Sequence, residues 1–191
     1  MRGSFSNNVG FDLRVSKSRL KDMPLFVNYS NAPYGDRMEV YYDRVDILDI
    51  SGELTYSLPG SLRLNGRVDV YTYELRLQDE PWNLPPYKLA LGATYDLRQK
   101  LILRTEVLFM GPRKAGVAYE AIGGFTGQPY TRYNTLDLDG FMDLYLGVEY
   151  RYTKRLSLFV DMSNLSASKY ERWYQYPVQR GLFMGGATYA F

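Results

Sequence analysis

Three observations predict an all-β fold, an antiparallel up-and-down β-barrel that crosses a membrane. Apolar and polar residues alternate with a period of two through most of the 191 residues, the pattern of a strand with two different faces. Several alternating segments reach the roughly 9–11 residues of a bilayer-crossing strand, whereas soluble strands average about 5–6. Aromatic residues make up 16% of the chain, with 19 tyrosines. They cluster at segment ends, as in the interfacial girdles of membrane barrels.

The order of turns and loops supports this topology. Short connectors are predicted at 17–22, 59–61, 98–100 and 153–155, and longer loops rich in Gly, Pro and Asn at 31–37, 78–86, 112–133 and 165–180. Short and long connectors alternate, as in a meander with one plain end and one elaborate end. About nine strands result, at 5–15, 23–29, 48–58, 62–70, 87–95, 101–110, 134–152, 156–163 and 181–191. A soluble sandwich or a lipocalin-like barrel also alternates and stays the alternative.

Within the predicted strand 134–152, the stretch 136–152 shows the two faces most clearly. Its even-numbered positions are apolar apart from Gly140, and its odd-numbered positions carry five charges. In a membrane barrel the apolar face contacts lipid and the charged face lines the lumen. The predicted lumen-facing charges are Asp137, Asp139, Asp143, Glu149, Arg151, Arg63 and Arg67. They fit either a cross-strand network that holds the wall in shape or a path for a charged substrate.

The composition argues against several classes of function. The chain has no cysteine and no histidine, which excludes disulfides, thiolate metal sites and imidazole bases from it. The formal net charge of +2 does not indicate nucleic-acid binding. Strand alternation explains the aspartates of "DLDGFMD" better than a calcium loop does. We therefore expect no enzyme activity, no cofactor and no metal site.

The last residues, "GLFMGGATYAF", carry a resemblance to a known class of protein. They resemble the closing strand of Gram-negative outer-membrane barrels, in which a terminal Phe and alternating aromatic or apolar residues are read by the barrel-assembly machinery. The positions that match this signal are Phe183, Ala187, Tyr189 and Phe191. The resemblance implies a location in the bacterial outer membrane, in contact with lipid and lipopolysaccharide.

Roughly the last forty residues are similar to the end of a TonB-dependent receptor barrel, closest in style to Bacteroidetes-type members. The matching positions are Asn164, Leu165, Tyr170, Tyr176, Pro177, Arg180 and Gly181. Barrels of that family have twenty-two strands and an N-terminal plug that binds TonB. Residues 1–191 are therefore interpreted as one domain without a plug, the C-terminal part of a larger barrel. A small complete barrel of eight or ten strands is the alternative.

Two functions follow from this resemblance. In the first, the chain is the barrel wall of a receptor that imports a nutrient, with TonB contacted through an upstream plug. In the second, it is an accessory barrel with a structural or assembly role. Under either function specificity lies in the long loops, where the predicted ligand contacts are Trp82, Tyr170, Trp173, Tyr174 and Tyr176.

Overall fold

The computed structural model describes residues 1–30, 36–122 and 129–191, and these residues contain thirteen β-strands. The strands are Arg2–Ser6 (β1), Val9–Ser30 (β2), Asp36–Leu58 (β3), Leu62–Glu74 (β4), Tyr87–Leu97 (β5), Leu101–Met110 (β6), Arg113–Ile122 (β7), Pro129–Leu138 (β8), Phe141–Arg151 (β9), Leu156–Ser163 (β10), Glu171–Trp173 (β11), Tyr176–Pro177 (β12) and Leu182–Tyr189 (β13). Across the described ranges, no helix is long and apolar enough to cross a membrane.

One large antiparallel sheet forms the wall. Its order is β13-β10-β9-β6-β5-β4-β3-β2, and β1 pairs with β2. The wall thus contains nine strands, and the predicted short turns at 59–61, 98–100 and 153–155 join β3 to β4, β5 to β6 and β9 to β10. We call this side of the sheet the turn end and the opposite side the loop end. Within the described residues the sheet is open, with β13 at one end of the order.

One face of the wall carries a continuous apolar band. Along β3 the band runs from Leu48 to Leu58, about the length of a strand that crosses a bilayer. Large side chains in the band are exposed by 37–54% on β3, by 52–70% on β2 and by 39–44% on β4. Toward the loop end the band stops at a bidentate ion pair between Arg19 and Asp46, with N–O distances of 2.7 and 2.9 Å. In a soluble sandwich this face would pack on a second sheet, so its exposure favours lipid as the neighbour.

The first two predicted strands are wrong. Residues 17–22 are not a turn: β1 ends at Ser6, and β2 runs through them without a break from Val9 to Ser30. A β-bulge interrupts the register between Leu20 and Met23, so that two residues of β2 oppose one of β3. Because of the extra residue, odd-numbered side chains of β2 lie on opposite faces of the sheet before and after the bulge. The predicted turn 17–22 is this polar stretch around the bulge, where the alternation changes phase within one continuous strand.

The predicted strand 134–152 and the predicted loop 112–133 also need correction. The β6–β9 hairpin continues beyond the wall as the β7–β8 hairpin, after a break at Gly111–Pro112 on one side and Asp139–Gly140 on the other. A Cβ at Gly140 would lie 2.8 Å from the Met110 carbonyl oxygen, so the close approach at the break requires glycine. The alternation keeps its phase across the break, which concealed it in the sequence.

Candidate functional site

The elements at the loop end pack into a small apolar core of their own. It contains Leu25 and Val27 of β2, Trp82 of the β4–β5 loop and Ala118 of β7, each no more than 1% exposed. Tyr133 of β8 packs against them. The β7–β8 hairpin bends over the sheet and meets β2, where Asn28 and Tyr29 pair in parallel with Val117 and Ala118. Three elements that are distant in sequence thus form one layer above the wall.

Asp43 holds the beginning of the β4–β5 loop in this layer. Its carboxylate is 1% exposed and accepts hydrogen bonds from the backbone N–H groups of Arg44, Arg76, Leu77 and Gln78 at 2.6–3.3 Å. Burial raises the pKa of Asp43, but the four N–H donors outweigh it, and the net pKa lies below its usual range. Asp43 is therefore an anion that orders the loop.

Asn83 ties the same loop to both neighbouring strands. Its side-chain amide donates to the Phe26 carbonyl oxygen at 2.8 Å, and its backbone N–H donates to the Lys114 carbonyl oxygen at 2.7 Å. Lys114 also forms an ion pair with Glu80 of the loop. The β4–β5 loop is thus fastened to β2 on one side and to β7 on the other.

A second cluster lies where the β6–β9 hairpin bends. Arg113 is 4% exposed, and its guanidinium lies over the Phe141 ring at 5.2 Å. It donates to the carbonyl oxygens of Glu171 and Arg172, both at 2.7 Å, while burial lowers the pKa of Arg113. Tyr170 stacks on Phe141 with ring centroids 3.8 Å apart. Arg113 and Phe141 together hold the last long loop against the bend.

Asp143 and Asn164 complete the attachment of that loop. The Tyr170 hydroxyl donates to Asp143 at 2.7 Å, and the Asn164 backbone N–H donates to the other oxygen of Asp143 at 3.1 Å. Burial, followed by this hydrogen bond, raises the pKa of Tyr170. Asn164 has φ = 47°, and its side chain donates to the Ser168 and Gln179 carbonyl oxygens, so it joins the two ends of the loop.

The middle of the last loop reaches across to β2. Trp173 meets the Phe26 ring edge to face at 5.1 Å, and the Asn28 side chain donates to the Tyr174 carbonyl oxygen at 3.4 Å. A short hairpin of β11 and β12 shapes this part of the loop. The loop and the β7–β8 hairpin therefore form one continuous layer with β2.

A cavity with a volume of about 700 Å³ lies between the β8–β9 bend and this loop. Its apolar lining residues are Leu136, Leu138, Phe141 and Met142. Its polar lining residues are Asp137, Asp139, Ser166, Ser168, Lys169, Tyr170, Glu171 and Tyr174. A concave site that combines apolar residues with convergent polar groups can hold a ligand.

The polar face of the wall carries paired charges. Arg67 binds Asp69 at 2.8 Å, Arg104 binds Glu149 at 2.8 Å, and Arg151 binds Glu149 at 3.2 Å. The Tyr145 hydroxyl donates to Asp161 at 2.5 Å. Of the predicted lumen charges, Arg63, Arg67, Asp143, Glu149 and Arg151 lie on this face of the wall. Asp137 and Asp139 lie above the wall at the end of β8 and at the bend, so they do not share a strand with the others.

The predicted ligand-contact residues occupy two different environments. Trp82 is 1% exposed with its indole N–H bonded to Gln78, and Tyr170 is buried against Phe141. Both are buried in this conformation, although Tyr170 also lines the cavity. Trp173 and Tyr174 are partly exposed and Tyr176 is exposed. The ligand-contact role of all five residues stays a prediction.

The structure adds three residues that the sequence did not single out as a site. Asp43 and Arg113 looked like ordinary members of polar segments, and no local pattern distinguishes a buried charge from a solvated one. Asn164 was noted only for its match to the receptor resemblance. Its position directly after β10 is the one sequence signal for its role, because asparagine at the start of a loop often hydrogen-bonds to nearby backbone groups.

The predicted assembly signal lies on the last strand. Phe183, Ala187 and Tyr189 pair with Met162, Leu158 and Leu156, which places them on the apolar face. Phe191 follows the strand, is fully exposed and packs edge to face on Tyr189. Their role in assembly stays a prediction.

Comparison with known proteins identifies the fold. No family model matches the chain, and no curated protein does. Among solved structures, the ferric-catecholate import receptor Fiu from E. coli K12 matches 100% of this chain over 26% of its own, with a TM-score of 0.68 and 12% identity. The pyoverdine outer membrane receptor FpvA from Pseudomonas aeruginosa PAO1 matches 100% over 28%, with a TM-score of 0.71 and 13% identity. The siderophore receptor PirA from Acinetobacter baumannii matches 97% over 30%, with a TM-score of 0.71 and 14% identity.

The chain has the fold of a receptor barrel wall. The prediction of a TonB-dependent receptor-type barrel is confirmed at the level of the fold, which is an outer-membrane fold. The chain spans between about a quarter and a third of the length of the receptors it matches. In barrels of this kind short turns face the periplasm and long loops face the cell exterior, so the turn end is periplasmic and the loop end extracellular.

Proposed function

We propose that the chain is part of the barrel wall of an outer-membrane receptor that imports a nutrient too large for a porin. The observation that carries this proposal is the extent of the structural match, 97–100% of the chain. The match therefore includes the loop-end layer as well as the wall. The matched proteins are receptors rather than enzymes.

The wall supports the proposal through its open sheet. Lipid cannot satisfy backbone N–H and C=O groups, so a sheet spans a bilayer only when every strand is paired on both sides. The described strands leave β13 at the end of the order. We infer that further strands of the same protein pair with it, and that an upstream plug in the closed barrel contacts TonB.

The loop-end layer gives the proposed receptor its ligand-binding side. The layer is held by buried contacts, chiefly those of Asp43 and Arg113, so its outer surface is preorganised. Trp173, Tyr174 and Tyr176 lie in this layer with Tyr174 at the cavity. In the proposed function these aromatic residues contact the nutrient, while the paired charges of the wall keep the lumen in shape.

The mass of the mature protein tests the proposal directly. The protein is extracted from native outer membranes and detected by mass spectrometry through the peptide that contains "WYQYPVQR". Because the chain covers 26–30% of the matched receptors, a receptor has about three to four times the 22.1 kDa of this chain. A species near 22.1 kDa contradicts the receptor and favours an accessory barrel with a structural or assembly role.

Energy coupling needs a second measurement on the same cells. Formaldehyde crosslinking of whole cells, followed by detection with antibodies to TonB, is expected to give an adduct of the heavy species. The adduct is expected to increase when the nutrient is present. A heavy species without this adduct contradicts coupling through TonB, although the barrel assignment would stand.

A further inference from the structure

β8 is an edge strand at the extracellular side of the fold. One edge pairs with β7 along its whole length, from Arg113↔Leu138 to Ile122↔Pro129. The sheet order ends at β8, and no strand of the described ranges pairs with the other edge. An edge of this kind presents a row of backbone donors and acceptors that an extended chain satisfies by adding a strand.

The 700 Å³ cavity lies along the lower part of this open edge. Residues 136–142 form one wall and residues 166–174 of the last loop form the other. Both walls have the same anchor, because Arg113 lies in register with Leu138 and donates to the Glu171 and Arg172 carbonyl oxygens. The space beside the edge is thus held open by a buried contact.

The charge beside the edge is negative. Asp137, Asp139 and Glu171 line the cavity, opposed by Lys169 alone. Among the described residues none of these three carboxylates forms an ion pair. Lys114 lies in register with Asp137 on β7 and attracts it, but forms its ion pair with Glu80. The Glu171 carboxylate accepts a hydrogen bond from the Gln175 backbone N–H at 3.0 Å. A chain lying along the edge places alternate side chains on one face, where these carboxylates attract positive charge.

We propose that the open edge of β8 binds an extended, positively charged peptide as an added strand. The main-chain hydrogen bonds of the edge supply the affinity. The carboxylates select lysine or arginine at alternate positions, and the apolar lining residues Leu136, Leu138 and Phe141 accept apolar side chains between them. This site goes beyond the proposed function, since it depends on the edge and the cavity and not on what the barrel imports.

The test uses the full-length protein in native outer-membrane vesicles and three synthetic peptides. The first is a fluorescein-labelled octapeptide of alternating lysine and valine. The second has the same sequence with every backbone nitrogen methylated, which removes the donors of both edges. The third has glutamate in place of lysine. Binding is measured by fluorescence anisotropy at two salt concentrations, with the double variant Asp137→Asn/Asp139→Asn and with Asp79→Asn, an exposed carboxylate elsewhere at the loop end, as its matched control.

The lysine peptide is expected to bind, and both the methylated and the glutamate peptides to lose at least about tenfold in affinity. The double variant is expected to bind the lysine peptide about tenfold more weakly, with a smaller salt dependence, and Asp79→Asn to bind it like the native protein. Equal binding of the methylated peptide would reduce the interaction to charge alone and overturn the added strand. Unchanged binding by the double variant would place the peptide elsewhere, and no binding to the native protein would overturn the proposal. None of these results alters the mass measurement that tests the receptor.

Discussion

Asp43 is a buried carboxylate whose partners are all backbone N–H groups. Three of them, on Arg76, Leu77 and Gln78, belong to the beginning of the β4–β5 loop. The loop in turn brings Trp82 into the extracellular core. One side chain on β3 therefore determines the position of a loop that supplies a central residue of the core.

Asp43→Ala is expected to loosen the β4–β5 loop without unfolding the wall. The substitution removes this acceptor from four N–H groups, three of them in the loop, and each buried group left unpaired costs about 1–3 kcal/mol. Hydrogen exchange of residues 75–86, followed by mass spectrometry, is expected to become at least about tenfold faster. Asp79→Asn, an exposed carboxylate of the same loop, is the control. Unchanged exchange in Asp43→Ala would show that the loop is held by Trp82 and Asn83 instead.

The same carboxylate predicts how the loop responds to acid. The pKa of Asp43 in the folded protein lies below its usual value of 3.8. A depressed pKa contributes stability that is present above the unfolded value and is lost as the pH falls through the folded value. Exchange of residues 75–86, corrected for its intrinsic pH dependence, is therefore expected to stay slow down to about pH 4 and to accelerate only in stronger acid. The Asp43→Asn variant is expected to lack that acid transition.

At the scale of elements, the β-bulge in β2 decides which side chains reach the core. Leu13 and Val15 are 52% and 70% exposed on the apolar face, whereas Leu25 and Val27 are buried in the extracellular core. All four are odd-numbered positions of one strand. The net extra residue between Leu20 and Met23 moves the second pair to the opposite face. The bulge therefore joins a lipid-facing half-strand to a core-facing one.

Deletion of Asp22 is expected to be tolerated. The deletion leaves one residue of β2 opposite one of β3, which turns the bulge into regular pairing and keeps Leu25 and Val27 on the inner face. Deletion of Leu48 in β3 is the contrasting variant, because no bulge on β3 absorbs it and one half of that strand must turn over. Heat-modifiable migration in SDS gels measures barrel assembly. Failure of the Asp22 deletion, or assembly of the Leu48 deletion, would contradict this account of the bulge.

The whole molecule consists of two parts with different solvents on their surfaces. The wall places an apolar band toward lipid and paired charges toward the lumen. The extracellular layer has its own buried core, and its buried charges Asp43 and Arg113 are hydrogen-bonded to backbone groups. The effect of a substitution on stability is therefore expected to depend on whether the side chain faces lipid or water.

Leu54→Arg and Asn65→Arg distinguish the two faces of the wall. Leu54 lies near the middle of the apolar band and is 54% exposed, and Asn65 lies on the other face of the neighbouring strand β4, opposite Thr55. An arginine near the bilayer midplane costs about 2–4 kcal/mol, whereas a lumen position tolerates it. Denaturant unfolding in lipid vesicles is expected to show this loss for Leu54→Arg only. Equal losses would contradict the assignment of the two faces.

Sequence alone determined the wall, because a period of two, strand lengths near that of a bilayer and short polar turns are local properties. Three of the four predicted turns and the apolar face follow from them, and so does the receptor-type fold suggested by the last forty residues. Only the tertiary structure decided the bulge in β2, the break at Gly140 and the bent hairpin, since alternation looks the same whether a strand continues, bends or shifts by one residue.

The extracellular site needed the tertiary structure for a related reason. Asp43, Trp82 and Arg113 meet partners 33 or more residues away, or residues of another element. Burial of a charge depends on what folds over it, and no local pattern records that. Period and composition are properties of neighbouring residues, so sequence determined the faces of the wall, while the enclosure of the site was set by contacts between distant segments.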